Sequence, residues 1–143
     1  MNENNQTKIV LGLIDKSKLA VLSTVTADDR SESAVIEISV HKNLELIFDT
    51  MPSFRKYKNL QSNQNVSVVI GWEPATVQYE GTAVELSGKE PEEYKQIHFQ
   101  KFPKAVKFEK LGVRFFKIIP EWIRYTDVSK QPWEVFEIKF PVV

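Results

Sequence analysis

The amino-acid sequence predicts a mainly β, α+β fold: an antiparallel barrel with helices packed on its ends. Three observations point there. Six to eight runs have the composition and alternation of strands. Most connections between them are short enough for neighbouring strands to pair back on each other. The three or four helical segments do not alternate regularly with the strands, which argues against a doubly wound parallel sheet. The chain shows no internal repeat, low-complexity segment or linker, so residues 1–143 are expected to form a single domain.

The elements follow in order. Residues 7–18 place Ile9, Val10, Leu13 and Ile14 at helical spacing, with Thr7 as a candidate cap. Residues 19–26 are a β-rich run, and Thr26-Ala27-Asp28-Asp29-Arg30 reads as a turn. From 33 to 40 the alternation is clean: Ala34, Ile36, Ile38 and Val40 take one face, and Ser33, Val35, Glu37 and Ser39 the other. His41-Lys42-Asn43 then leads into an apolar strand over 44–49, paired back as a hairpin. A helix over 53–61 ends at Ser62-Asn63-Gln64-Asn65. The strand over 66–71 is almost continuously apolar and therefore central. The longest strand, 76–87, carries Val77 and Tyr79 on one parity and Val84 and Leu86 on the other. A bulge at Gly81 would reconcile its halves. Glu90-Pro91-Glu92-Glu93 has a proline and acids suited to a helix start, and that helix runs to about Phe102. Pro103 begins a second short helical piece, which Gly112 closes. Strands over 113–119, 121–126 and 133–140 complete the chain, the last with Phe136, Ile138 and Phe140 on its apolar face.

Composition excludes several classes of function. The 143 residues are long enough to bury roughly 68–70% of the unfolded surface. Formal net charge is zero, so no global field draws the chain to nucleic acid or to an anionic membrane. A nucleic-acid-binding barrel would also need a basic groove with stacking aromatics, of which Tyr57 between Lys56 and Lys58 is a fragment. There is no cysteine, hence no disulfide, thiolate nucleophile or Cys-ligated metal. His41 and His98 are far apart in sequence, which predicts no metal site. No apolar run approaches a membrane span, and the polar start, Met1-Asn2-Glu3-Asn4-Asn5-Gln6, has no signal-peptide core. The expected location is cytoplasmic.

Chemistry concentrates in Asp49-Thr50-Met51-Pro52-Ser53-Phe54-Arg55-Lys56, where a strand hands over to a helix. Unpaired N–H groups point outward at a helix start and carry partial positive charge, which suits an anion, most often a phosphate. Thr50 and Ser53 can donate hydrogen bonds, and Arg55 offers a planar fork of donors. The segment reads as the grip on the phosphate of a phosphorylated cofactor. The competing structural reading makes Ser53 an N-cap, with Arg55, Lys56 and Lys58 coating an exposed helix.

The order Leu19-Ala20-Val21-Leu22-Ser23-Thr24-Val25, Phe48-Asp49-Thr50, Ser53-Phe54-Arg55-Lys56, Asn59-Leu60, Asn63-Gln64-Asn65-Val66-Ser67-Val68 and Val77-Gln78-Tyr79-Glu80-Gly81 resembles the FMN-binding split-barrel family, the pyridoxamine 5′-phosphate oxidase-like proteins. The resemblance covers residues 19–86 by motif and the remainder by element order. It implies a six-stranded antiparallel split β-barrel with flanking helices. It also implies a homodimer with flavin sites at the subunit interface, and flavin-dependent oxidoreductase activity on a small molecule. By position, Thr50 and Ser53 would touch the FMN phosphate, and Arg55 and Lys56 would neutralise it. Gln78 would hydrogen-bond near the ring, and Val35 with the backbone of Phe48 and Asp49 would line the pocket. Trp122 and Trp133 would either cap the flavin from the partner subunit or serve as core and interface aromatics. His98 reads as a packing residue, and Glu37 as either solvent-exposed or in the pocket.

Two departures from the family pattern stand out. At the start of the strand over 33–40, where the oxidase has an arginine for the phosphate, this chain has Ser33-Ala34-Val35, leaving Arg55 and Lys56 most of the charge. The C-terminal segment with Arg and His that holds pyridoxal phosphate in the oxidase has no counterpart near 133–143. A non-catalytic ligand-binding or sensing barrel, with haem, a deazaflavin or no cofactor, is the alternative expectation.

Overall fold

Helix α1 (Glu3–Lys16) starts earlier than its apolar spacing predicts, because the side chain of Asn2, not Thr7, caps it by accepting from the Asn5 N–H at 2.9 Å. In this computed structural model, which describes residues 1–88 and 91–141, α1 buries Val10 and Ile14 against the sheet core. The strands are β1 (Leu19–Val25), β2 (Ser31–Glu37), β3 (Ser39–Val40), β4 (Leu46–Thr50), β5 (Asn65–Ile70), β6 (Ala75–Glu85), β7 (Arg114–Asp127) and β8 (Glu134–Lys139). Helix α2 (Arg55–Ser62) links β4 to β5. Between β6 and β7 lie α3 (Pro91–Lys101), a 3₁₀ turn (Pro103–Ala105) and α4 (Val106–Glu109). The predicted helix start at Glu90 lies outside the described residues.

All pairings are antiparallel, in the order β2-β1-β5-β6-β7-β4-β3, with β8 also on β7. The sheet curls into a half-barrel flanked by four α-helices. It has eight strands among the described residues, against the six expected, for two reasons. The run over 33–40 breaks at Ile38, whose N–H turns to the Lys18 carbonyl (3.1 Å), leaving β3 as a separate two-residue strand. And β8 hangs on the far half of β7 beyond β4. The two strands expected over 113–119 and 121–126 are in turn one, because β7 runs straight through Pro120.

The bend that curls the sheet sits at this point. Register between β6 and β7 slips between Glu80–Trp122 and Gly81–Pro120, so Glu121 is an extra residue on β7. The bulge is therefore on the partner strand and not on β6, whose inward parity continues unbroken through Val77, Tyr79, Gly81 and Ala83. Pro120 is tolerated because it needs no ladder donor at a bulge. Gly81 is required because a Cβ there would collide with the Ile119 carbonyl oxygen. Inside the curl, Tyr79 is 1% exposed, and its hydroxyl lies within hydrogen-bond reach of the Leu44 (2.8 Å) and Ile118 (2.9 Å) carbonyls, tying β6 to the β3–β4 turn and to β7.

Gly81→Ala should therefore cost about 1–3 kcal/mol of unfolding free energy by urea titration. Gly12→Ala, in α1 with nothing within 4 Å of the added methyl, should raise stability by up to about 1 kcal/mol.

Candidate functional site

The barrel is split where two strand edges fail to join. β2 pairs only with β1, while β4 pairs with β7 on one side and, through Leu46 and Ile47 alone, with β3 on the other. A cleft of about 270 Å³ fills this gap, with Val35 and Glu37 from β2 and Asp49 and Thr50 from β4 among its walls. A second cleft of about 250 Å³ adjoins it, lined by Glu32, Ser33, Ser53 and Arg55 among others. Phe54 and Lys56 line both.

The structure thus divides the phosphate grip read from the sequence. Ser53 and Arg55 belong to one cleft, Thr50 to the other, and Lys56 bridges them. Ser53 does not cap α2. The capping position falls to Phe54, whose side chain makes no capping bond, so the first-turn N–H groups have no side-chain acceptor. Thr50 is 3% exposed, and its hydroxyl has no hydrogen-bond partner. Val35 is 63% exposed on the cleft rim. Phe48 turns its side chain into the core, stacked on Phe116 at 5.2 Å, so only its backbone can serve the cleft. Gln78 is not brought together with the others. It lies exposed on the outer sheet face, in register with Val69 on one side and Arg124 on the other. Trp122 is half-buried, its indole N–H donating to Glu137 at 3.1 Å, and Trp133 is exposed.

Two features were beyond sequence reasoning. Glu32 accepts from the Arg55 guanidinium at 2.8 Å and from the Asn59 amide at 2.9 Å. The acid therefore holds the arginine expected to neutralise phosphate. No local signal joins residues 23 apart in sequence, although a carboxylate on the strand beside the missing arginine was visible. The second feature is a buried relay behind Asp49. The His98 ring is fully buried, its Nδ1 is 2.7 Å from the Ser39 hydroxyl, and its unpartnered Nε2 lies 3.8 Å from Asp49 Oδ2. His98 is a packing residue against Phe102 and Phe115, as expected, and also the floor beneath Asp49.

Burial dominates the electrostatics. It raises the Asp49 carboxyl above its ordinary value, with Glu37 adding to the rise and Lys56 opposing it. It lowers Lys56, with Asp49 opposing. It lowers His98 to about 4, with Lys101 contributing, so the ring is neutral at pH 7 and its approach to Asp49 is not an ion pair there. Glu37 is both exposed and at the cleft wall, so the two alternatives left open by its strand parity hold together.

Residues 7–127 match the family described as pyridoxamine 5′-phosphate oxidase. The chain belongs to that family. No curated protein matches the sequence significantly. Among solved structures, the fold is similar to a haem-binding protein from Mycobacterium smegmatis (TM-score 0.80, 13% identity, 93% of this chain and 57% of that one). It is also similar to Campylobacter jejuni ChuZ (0.79, 12%, 97% and 61%). A third is PhzG from Burkholderia lata 383, solved with tetrahydrophenazine-1-carboxylic acid (0.62, 16%, 96% and 90%). The chain spans less than two thirds of the first two proteins' length. The likeness to these three structures is one of fold.

The depressed His98 value gives a pH test. Between about 4 and 6.5 the unfolded chain takes up a proton that the folded imidazole refuses, so stability is full above 6.5 and falls as pH drops toward 4. The loss approaches about 3 kcal/mol. Asp49, raised in the fold, works in the opposite sense just above 3.8. His98→Gln should flatten the pH 4–6.5 slope in chemical denaturation while leaving the Asp49 contribution.

Proposed function

We propose that the protein is an FMN-binding flavoprotein, an oxidoreductase acting on a small molecule, and that it works as a homodimer. What supports this is the position of Lys56. Its side chain, partly withdrawn from water, lines two clefts beside an uncapped helix start, and such a place suits a dianion. In this reading Ser53, Lys56 and the first N–H groups of α2 hold the phosphate. Val35 and the backbone of Phe48 and Asp49 flank the ring, with the Thr50 hydroxyl free to bond it. The bound flavin would supply the redox chemistry, and the chain supplies binding, orientation and the surrounding charge.

The dimer reading has its own support. Val35, Val21 and Val69 lie side by side across the outer sheet face in register, and Val35, Val69 and Leu19 are exposed. Gln78 continues that row three strands from Val35, about 14 Å away at ordinary strand spacing. It would serve the partner's flavin more readily than its own.

One observation favours the alternative, a ligand-binding or sensing barrel without FMN: Glu32 already holds Arg55. Haem fits this second reading poorly, since His98 is fully buried and His41 is engaged with Glu93 at 2.8 Å.

The two readings part in a flavin titration followed by fluorescence quenching. Lys56→Ala should weaken FMN binding roughly tenfold or more, the scale of one charged hydrogen bond. Arg55→Ala should weaken it less, and Glu32→Gln should tighten it by releasing the guanidinium. Purified protein without flavin absorbance, and with no FMN uptake in any of these variants, would support the alternative.

A further inference from the structure

A groove of about 800 Å³, larger than either cleft at the split, shares no lining residue with them. One wall is α1, which contributes Lys8, Ile9, Gly12, Leu13 and Lys16. These fall at i, i+1, i+4, i+5 and i+8, a single stripe of the helix. The groove therefore follows the helix axis for about 12 Å. The facing wall is the β5–β6 turn, where Trp72 is 65% exposed. The Val128 N–H fastens that turn by donating to the Pro74 carbonyl at 3.1 Å. The turn also packs closely on α1, since a Cβ at Gly71 would touch Leu13 at 3.5 Å. We propose that this groove binds an amphipathic carboxylate, an unbranched acyl chain laid along α1 against Trp72 with its head at Lys16 and Lys18.

Shape and charge each point to that class. A trough running lengthwise along a helix, lined by Ile9, Leu13 and Ala75, suits a chain better than a ring. Three cations line it, Lys8, Lys16 and Lys18, all exposed and without an ion pair among the described residues. Of the two acids there, Asp127 already accepts from the Ser129 N–H at 2.9 Å and hydroxyl at 2.6 Å, which leaves Glu73. The carbonyls of Ile14 and Ser17 at the end of α1 accept from Lys101, so Lys16 and Lys18 are not drawn to the helix terminus. An anion placed there gains from both ammonium groups, and a cation is repelled.

Gly12 supplies an independent indication. It lies inside α1, where glycine costs about 1 kcal/mol relative to alanine. No positive φ requires it, and no neighbour crowds it, because nothing lies within 4 Å of an added Cβ. Neither backbone nor packing accounts for the residue. A side chain at this position would project into the groove, so the glycine keeps the trough open between Ile9 and Leu13.

The test is calorimetric titration of the purified protein with decanoate, decanol and decylammonium below their micellar concentrations, which varies the head on one chain. Decanoate should bind roughly tenfold more tightly than decylammonium, with decanol between, and added salt should narrow the gap. Lys16→Gln/Lys18→Gln should weaken decanoate about fivefold, the scale of two exposed pairs, and leave decanol within twofold. Gly12→Leu should fill the trough and weaken all three probes while the protein melts no lower. The lysine variant alters only exposed positions and carries the test alone if Gly12→Leu disturbs the fold. Equal affinity for decanoate and decylammonium, or a decanoate affinity untouched by the lysine variant, overturns the proposal. So does a groove filled by a second copy of the chain, seen as no decanoate binding and a Gly12→Leu protein that sediments as a monomer. None of these residues lines either cleft, so flavin content read from visible absorbance should not follow decanoate affinity across the series. If it does, the effect is global and the proposal falls.

Discussion

The close approach of the Gly81 backbone to the Ile119 carbonyl is the constraint on which the rest of the molecule depends. It permits a one-residue bulge at Glu121 and a proline inside a fourteen-residue strand, and so lets β7 bend while staying paired to β6. A bent β7 offers its first half to β4 and its second half to β8. The sheet therefore curls without closing, since β4 is carried toward β2 but not into hydrogen-bond register with it. The gap that remains is the candidate site. The candidate site is a consequence of incomplete closure, and the edges that elsewhere would invite aggregation face a cleft.

Like charge and apolar bulk both line the unclosed edge. Glu37 on one strand and Asp49 on the other repel across the gap, and Val35 and Phe54 occupy its rim. Behind Asp49 lies a fully buried histidine, fixed through Ser39, whose Nε2 stands 3.8 Å from the carboxylate without bonding it. Ser39 lies on β3, so the short strand that looks like a remnant of β2 has a definite role: it seats His98 and thereby α3 against the sheet. The polar ties of α3 elsewhere, Tyr94 to Glu45 at 2.6 Å and Lys101 to the last carbonyls of α1, serve the same docking.

Much of this was legible from residue patterns, and the failures have physical causes. The apolar face of β8 follows from alternation, and the central place of β5 from its nearly continuous apolar run, although β5 buries only one side and leaves Val69 exposed. The break at Ile38 was not legible, since Ser39 is buried only by virtue of a histidine 59 residues away. Pro120 reads as a strand end because a proline removes a ladder donor. Only the position of Gly81 on the neighbouring strand shows that no donor was needed there. At the site, helix-start chemistry pointed to Ser53, Arg55 and Lys56, and the structure sets these around one pocket. Thr50 lines the other pocket as the last residue of β4, on the inward parity of Leu46 and Phe48. The pairing of Arg55 with Glu32 is tertiary and leaves no trace in local sequence.

That pairing bears on the helix-start pocket. Where the oxidase pattern has an arginine near the start of β2, this chain presents Glu32 and Ser33, and the carboxylate consumes the nearest cation on α2. An exposed ion pair of this kind contributes at most about 1 kcal/mol to stability. Its persistence is therefore easier to understand as a setting of ligand affinity than as a stabilising device. An incoming dianion must displace Glu32 from Arg55 or do without it, and Asn59 keeps the carboxylate from swinging away. On the flavin reading Lys56 would be left as the main cation for the phosphate, and Asp49 in the neighbouring cleft acts on the same side chain. An anion held by Lys56 in that reading would also change the charge that Asp49 faces, so the two clefts would share one cation.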